Sequence, residues 1–284
     1  MNPRILFVVL AVILTALPRA LAAQTPAAEP SVTHELRLTD GSRVYGRIAS
    51  ESETEVTFQT ASGVMLTPRR DQIVSLRRVE GRIRNGEFQP ADPNNTRLFF
   101  GPTGRSLPKG QTYLGIYEFV MPFVQVGVTD RFSIGGGTPL VFGFDDDGLD
   151  RPYWITPKLQ VFNGQTLQAS VGVFQGFGGG ASAGIAYGVI TAGGSSGSFT
   201  AGAGMGYDDG GDRAAVVMVG GDRQVRRNMK FVTESYVWGS GTGIVSAGVR
   251  FFGERISADL ALAAPVGDDL GGFVFPMVNF VYLF

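Results

Sequence analysis

The sequence of 284 residues contains no cysteine and a single histidine, His34. Without cysteine there is no disulfide framework, no thiol nucleophile and no thiolate metal site. One histidine excludes a histidine-rich metal centre. It also lies in the N-terminal part, apart from the strand-rich C-terminal serines, so serine–histidine chemistry has no candidate pair. Charge is scarce too. Asp, Glu, Lys and Arg make up 17% of the chain, against about a quarter in ordinary globular domains. The formal net charge of −1 leaves no basic field to hold a nucleic acid. After the N-terminal stretch, no run of about eighteen apolar residues escapes polar interruption, so no later segment spans a bilayer as a helix. Glycine, by contrast, is abundant, at 41 residues. The strings GFGGGASAG and GAGMGYDDGG share the composition of phosphate loops. Neither follows a buried strand and opens a helix, so no cofactor site is assigned. No catalytic residue is assigned either, and the chain is not read as an enzyme.

The N-terminus, MNPRILFVVLAVILTALPRALAAQ, starts with a thin positive charge at Arg4. Residues 5–17 form an apolar run of about 13, the length of a signal-peptide core and short of a bilayer span. Ala20-Leu21-Ala22 supplies small residues for cleavage. Residues 1–23 are therefore expected to be a signal peptide, with a retained membrane anchor as the alternative, and 24–33 a flexible linker of Ala, Pro, Thr and Glu. With no lipobox cysteine, a lipoprotein is excluded.

Residues 34–81 read as five short strands with turn signals between them. Leu36 and Leu38 alternate with polar residues, Asp40-Gly41 turns the chain, and Val44 and Ile48 follow with Gly46 at an expected bulge. Val56 and Phe58, then Val64 and Leu66, then Ile73, Val74 and Leu76 carry the remaining strands. The pattern predicts a small curled barrel of the SH3 kind. The run L-x-D-G-x-x-x-x-G, the Ser62-Gly63 turn and the final I-V-x-L strand resemble Sm-like domains, through Leu38, Asp40, Gly41, Gly46, Gly63, Ile73 and Leu76. The resemblance implies a fold and a taste for protein contacts. It does not extend to RNA, because Glu51, Glu53 and Glu55 stand where that family carries its RNA-contacting pattern.

Residues 82–111, rich in Asn, Pro, Gly and Arg, read as a second linker. From 112 to 284 the hairpin punctuation is regular: Thr129-Asp130-Arg131, Asn163-Gly164-Gln165, 178–180, 193–197, 208–212, 239–241 and Gly253-Glu254. The segments between are about ten residues long, the length of a tilted membrane strand. Such a sheet either splits into a sandwich or closes into a barrel. Its faces decide. Phe199, Ala201, Met205 and Tyr207 oppose Ser198, Thr200, Gly202, Gly204 and Gly206, while Val245, Ala247, Val249 and Phe251 oppose Ser246, Gly248 and Arg250. Ile256, Leu260 and Leu262 oppose Ser257, Asp259 and Ala261, and Ala183, Ile185, Tyr187 and Val189 oppose Ser182, Gly184, Ala186 and Gly188. In a soluble sandwich the smaller face would meet water and carry Lys, Glu and Thr. Glycine, alanine and serine with a few charges suit a crowded barrel interior instead. The large face then meets lipid, with Tyr113, Tyr153, Trp154, Tyr187, Tyr207, Trp238 and Tyr282 as interfacial aromatics.

The expected fold is therefore all-β: an antiparallel transmembrane barrel over 112–284, preceded by the small five-stranded domain. Both ends of a single-chain bacterial barrel lie in the periplasm, so its strand number is even, about twelve if 112–130 splits near Met121-Pro122 and ten if it does not. The loops 143–152, 208–212 and 265–272 fall on the outer side. The last strand alternates aromatics at Phe280, Tyr282 and Phe284, after Val278. It resembles the closing strand of bacterial outer-membrane barrels, which implies the outer membrane as location, its lipid as partner, and recognition of Phe280, Tyr282 and Phe284 by the barrel-assembly machinery. The stretches GPTGRSLPKG, VGVTDRFSIGGG and GVRFFGERISADL resemble bacterial outer-membrane β-barrel proteins, a resemblance that implies no activity.

Lys158, Lys230, Glu234, Arg250, Asp259 and Asn279, together with Gln160, are expected to point inward from neighbouring strands. They form either a charge network that fills the lumen and fixes strand register or a polar constriction in a narrow pore. Asp145, Asp146, Asp147 and Asp150 are clustered carboxylates of the kind that hold hard cations, but they lack the alternate spacing of a calcium loop and read as a solvated acidic loop. The expected role is structural or adaptor, with residues 34–81 contacting a periplasmic protein or the cell wall. A narrow passive pore is the alternative, and an outer-membrane hydrolase a third reading.

Overall fold

The computed structural model describes residues 33–140, 151–267 and 273–284. The expected signal peptide, nearly all of the first linker, and Asp145, Asp146, Asp147 and Asp150 lie outside the described residues. The chain forms two compact units, Met1–Pro90 and Ala91–Phe284.

In the first unit, β1 (Thr33–Leu38), β2 (Arg43–Glu51), β3 (Val56–Thr60), β4 (Met65–Leu66) and β5 (Ile73–Val79) form an antiparallel sheet in the order β4-β3-β2-β1-β5. Leu36, Val56 and Phe58 are fully buried on its inner face. Asp40 accepts a hydrogen bond from the Ser42 backbone N–H at 2.8 Å, and Gly41 takes the left-handed φ of 86° that the turn needs. Among the described residues the sheet stays open, with β4 and β5 as its edges, rather than closing into the expected small barrel. The bulge lies between Ile48 and Ser50, not at Gly46. Gly46 answers a different need: a Cβ there would run into the Gln59 carbonyl of the neighbouring strand. The second expected linker opens with a hairpin, β6 (Gly81–Arg84) and β7 (Glu87–Pro90), turned by Asn85 and Gly86 at positive φ. Phe88 is buried and stacks on Tyr45 at 4.3 Å, which explains why this stretch is ordered structure and not linker.

The second unit holds the remaining strands: β8 (Thr112–Tyr117), β9 (Met121–Gly127), β10 (Phe132–Gly137), β11 (Tyr153–Ile155), β12 (Lys158–Asn163), β13 (Leu167–Gly178), β14 (Ala181–Gly194), β15 (Gly197–Asp208), β16 (Arg213–Arg226), β17 (Met229–Trp238), β18 (Gly243–Phe252), β19 (Ile256–Val266) and β20 (Phe275–Leu283). Each pairs antiparallel with the next, except that β11 and β12 lie end to end and both pair with β10 and with β13, and β20 pairs with β8 from Asn279↔Tyr117 to Leu283↔Tyr113, which closes the barrel. β11 and β12 meet β13 in one continuous register, Ile155↔Gln175 and Lys158↔Gly172, so they are one stave interrupted at Pro157 and the barrel has twelve. The split of 112–130 falls at Glu118-Phe119, a tight turn in which both residues take positive φ.

Around the wall, large apolar residues recur at the outward-turned alternate positions, Leu114, Ile134, Leu159, Ile190, Val217, Phe231, Leu260 and Leu262 among them. A continuous apolar belt on a closed barrel, with polar groups inside, is stable only in lipid, so this is a membrane-spanning barrel. Two face assignments change. In β14 the residues turned into the lumen are Ile185, Tyr187, Val189 and Thr191, while Ala186, Gly188 and Ile190 face out; Val189 and Thr191 are buried and Ile190 is half exposed. Of the expected interfacial aromatics, Tyr153, Tyr207 and Tyr282 do face out. Tyr113, Trp154, Tyr187 and Trp238 face the lumen, as their buried cross-strand neighbours and packing partners show.

Candidate functional site: the filled lumen

Residues 91–111, the greater part of the expected linker, run inside the barrel. The segment rises as one arm, bends at Leu98-Phe99-Phe100-Gly101 and returns as a second arm. Leu98 N–H donates to the Gly101 carbonyl and Thr103 N–H to the Thr96 carbonyl, both at 2.9 Å, making a hairpin bridged at Arg97 and Pro102. It leaves through the rim that holds Thr112 and Leu283, where Gly110 N–H bonds the Gly127 carbonyl at 2.9 Å. Leu98 and Phe99 are buried against Val232, Ala261, Ala263 and Met277 of the wall, and Leu107 against Tyr113, Phe123 and Val281. A segment that buries apolar side chains in this way is a plug, because a solvated linker would gain nothing by entering.

Three polar anchors fix it. At the tip, Glu234 of β17 accepts the backbone N–H groups of Phe99 at 2.7 Å and of Phe100 and Gly101 at 3.1 Å, and the Tyr236 hydroxyl at 2.8 Å. Successive N–H groups converging on one carboxylate form an anion nest, and charge-assisted bonds of this kind are the strong ones. A Cβ at position 101 would press on the ends of the Met218 and Tyr236 side chains, so any larger residue there must displace them. On the return arm, Gly104 donates to Thr191 Oγ1 at 2.8 Å, and its carbonyl accepts from Gln160 Nε2 at 2.9 Å and Ser170 Oγ at 3.0 Å. At the entry, Arg250 of β18 forms a bidentate pair with Asp259 of β19 at 2.6 and 3.0 Å and reaches Asp92 of the plug at 3.1 Å. Its remaining donors serve the carbonyls of Asn94, at 2.8 Å, and Leu98. Lys230 bridges Asp222 of β16 at 2.8 Å and Asp92 at 3.4 Å.

All the residues expected in the lumen therefore lie there, and all are buried: Lys158, Gln160, Lys230, Glu234, Arg250, Asp259 and Asn279. They do not form one network. Arg250, Asp259 and Lys230 share Asp92, and Asn279 pairs with Asp259 across β19 and β20. Glu234 binds only the plug tip and Tyr236. Lys158 stands apart on β12 and donates to the carbonyls of Arg105, Thr96 and Thr103 at 2.6, 3.1 and 3.4 Å. Asp92, Arg97, Gly101, Gly104, Arg105 and Asp222 are functional-site residues that the sequence reading missed. One signal was available: Leu98-Phe99-Phe100 is an apolar triplet out of place in a solvated linker. At the other end of the chain, Phe280, Tyr282 and Phe284 are exposed on the outer wall, with Tyr282 and Phe284 in edge contact at 5.0 Å.

No protein-family model matches the chain, and no curated protein matches it. Solved structures with a similar fold include a KdgM porin in complex with disordered oligogalacturonate, 6% identical over 61% of this chain and 96% of that one, at a TM-score of 0.47. An outer-membrane channel from Pseudomonas putida F1 is 11% identical over 68% and 98%, at 0.44. A loop-deleted OmpT, an outer membrane protein of Vibrio cholerae, is 13% identical over 89% and 97%, at 0.37. These likenesses are of barrel architecture and say nothing of what this lumen binds.

Proposed function

We propose that the chain is an outer-membrane β-barrel held shut by its own residues 91–111, and that it serves as an anchor and adaptor for the small β unit. The observation that carries this reading is the triple anchoring of the plug at Glu234, Gly104 and Arg250. Wall groups that would line an open pore are committed to the plug instead. The outer-membrane location rests on the apolar belt, the even strand number and the apolar start of the sequence, which reads as an export signal. On this reading the rim with Thr112 and Leu283 is periplasmic, the small unit lies in the periplasm as a contact domain of Sm-like or SH3-like ancestry, and the outward aromatics Phe280, Tyr282 and Phe284 address the assembly machinery. Its partners are outer-membrane lipid and a periplasmic protein or the cell wall.

A second reading, a narrow solute pore, is favoured by one feature. A polar crevice between plug and wall, too tight to admit water in this closed state, is lined by Asp92, Arg97, Asp222, Lys230 and Arg250 and marks where a path would open if the plug shifted. Conductance in a planar bilayer separates the two. The full chain is expected to be silent, and a variant lacking 94–105 to conduct. Steady conductance by the full chain would establish the pore and remove the adaptor reading's main support.

A further inference from the structure

The outward positions of β16 run Ala215, Val217, Val219 and Gly221 and then reach Arg223. Asp222 points into the lumen, where it meets Lys230 at 2.8 Å, so Arg223, next along the strand, points out. Its partner across β17 is Phe231, an exposed ring of the apolar belt, and Val225 beyond it is exposed as well. A charge on the lipid face of a barrel is costly at depth and tolerated where it reaches the headgroups. Arg226 ends the same strand, Arg227 follows in the turn to β17, and Arg255 lies in the turn between β18 and β19. The Phe252 N–H donates to the Asn228 carbonyl at 2.9 Å, which joins the two turns side by side at one rim. All four arginines are exposed, and none has an ion pair among the described residues. Glu254, the acidic residue of these two turns, is partly buried.

At the opposite rim the β15–β16 turn carries Asp208, Asp209 and Asp212 beside Arg213. The unpaired positive charge of β16 and its neighbours therefore marks one interface of the bilayer. We propose that Arg223, Arg226, Arg227 and Arg255 form a seat for the headgroup of an anionic phospholipid in the leaflet at this rim. Charge complementarity and continuity with the lipid-facing belt identify the occupant. The planar guanidinium fork matches phosphate oxygens two at a time. Arg223 can lay its alkyl stem along the wall and raise its charged end to the phosphate, while Phe231 beside it meets the acyl chain. A zwitterionic headgroup carries the same phosphate with its charge cancelled, so the seat selects lipids of net negative charge. The Leu283 N–H donates to the Arg255 carbonyl at 2.7 Å, so the seat reaches the strand that closes the barrel. The inference rests on the membrane-spanning reading of the wall and needs neither the closed plug nor the adaptor role.

The chain has no cysteine, so a fluorophore can be placed at one chosen position. Phe251→Cys puts it on the outer wall beside the two turns, and Met205→Cys puts it on the outer wall toward the opposite rim. The full chain is refolded into vesicles of phosphatidylcholine and phosphatidylglycerol, with brominated acyl chains on one lipid or the other. Quenching then reports which lipid lies against each label. At position 251 phosphatidylglycerol should be favoured by at least about five-fold, the gain from about one arginine at an anionic surface. At position 205 the preference should be much smaller. Arg223→Gln, Arg226→Gln and Arg227→Gln together should bring position 251 down to the level of position 205. Should that variant fail to fold, Arg223→Gln alone should remove the greater part of the preference. Equal preference at the two labels, or a preference that survives these substitutions, overturns the inference. Quenching by brominated phosphatidylcholine shows separately that the barrel has entered the bilayer, so an absent preference is told apart from a failure of the membrane reading.

Discussion

Each of the two units contains a charged group caught between two of opposite sign, and the two clusters differ in what surrounds them. In the small sheet, Glu35 lies between Arg43 and Arg77, whose side chains are 53% and 42% exposed. In the lumen, Arg250 lies between Asp92 and Asp259, and none of the three is more than 2% exposed. The chemistry is the same and the solvent is not. Glu35 itself is only 3% exposed, but if it loses one of these half-exposed arginines the other still pairs with it and water reaches the vacated side, so the loss should be small, at about 1 kcal/mol. If Arg250 is lost, two carboxylates and several plug carbonyls are stranded with nothing to rehydrate them. Breaking such a buried cluster costs about 3–5 kcal/mol.

The largest expected effect follows directly. Arg250→Met should lower the urea midpoint of the refolded barrel by an amount equivalent to about 3–5 kcal/mol, whereas Arg43→Met should shift the small unit by less than about 1 kcal/mol. Equal shifts would mean that water reaches the Arg250 cluster and that the plug does not seal it. Next is Glu234→Gln. Glutamine keeps the size but turns an amide N–H₂ toward three backbone N–H donors, so the tip should come free at a cost of about 2 kcal/mol. The barrel itself should stay heat-modifiable, while trypsin gains access to Arg97 and Arg105. Protection of those sites in the variant would show that the remaining two anchors suffice.

A smaller effect, of the steric kind, sharpens the contrast between plug-facing and lipid-facing positions. A Cβ at Gly104 would run into the Gln168 carbonyl and come within 3.1 Å of the Thr191 nitrogen, while at Gly188 it would meet nothing within 4 Å. Gly104→Val should therefore cost about 1–3 kcal/mol by overpacking and expose the plug to protease. Gly188→Val, pointing into lipid, should leave both stability and protection near wild type. If the two variants match, the return arm is not seated against β13 and β14.

How much of this was legible follows the same division. Where the outer residue is large and the inner one small or charged, as in β18 and β19, alternation places Arg250 and Asp259 correctly on one face. The sequence reading has a two-residue turn there, but Phe252 pairs with Ser257, so the connection is longer by two. A slip of two leaves every side chain on its own face. β14 is misread because its lumenal face carries Ile185, Tyr187 and Val189, so the larger apolar residues lie inside and size no longer tells inside from outside. The plug is misread for a different reason. Residues solvated by barrel carbonyls and charges have the same composition as residues solvated by water. Only tertiary contacts distinguish them, and these join Glu234 to Phe99 and Arg250 to Asp92 across 135 and 158 residues of sequence.

The smallest thermodynamic effect belongs to the chain's last residue, and it separates stability from assembly. Phe284 is 66% exposed, touches Tyr282 edge-on, and holds its place through a backbone bond to the Thr112 carbonyl at 2.8 Å, which does not depend on the side chain. Phe284→Ala removes ring area that faces lipid in the folded barrel, so refolded protein should unfold within about 0.5 kcal/mol of wild type, as surface substitutions usually do. If the alternating aromatics are an address, the same change should sharply reduce the folded, heat-modifiable form in cellular outer membranes. Quantifying both on one gel gives the ratio of folded protein obtained in cells to that obtained by refolding. A ratio that falls for Phe284→Ala but holds for Phe251→Ala, another exposed outward aromatic, assigns the terminal ring to recognition. A ratio unchanged in both leaves Phe284 as one more lipid-facing ring of the apolar belt.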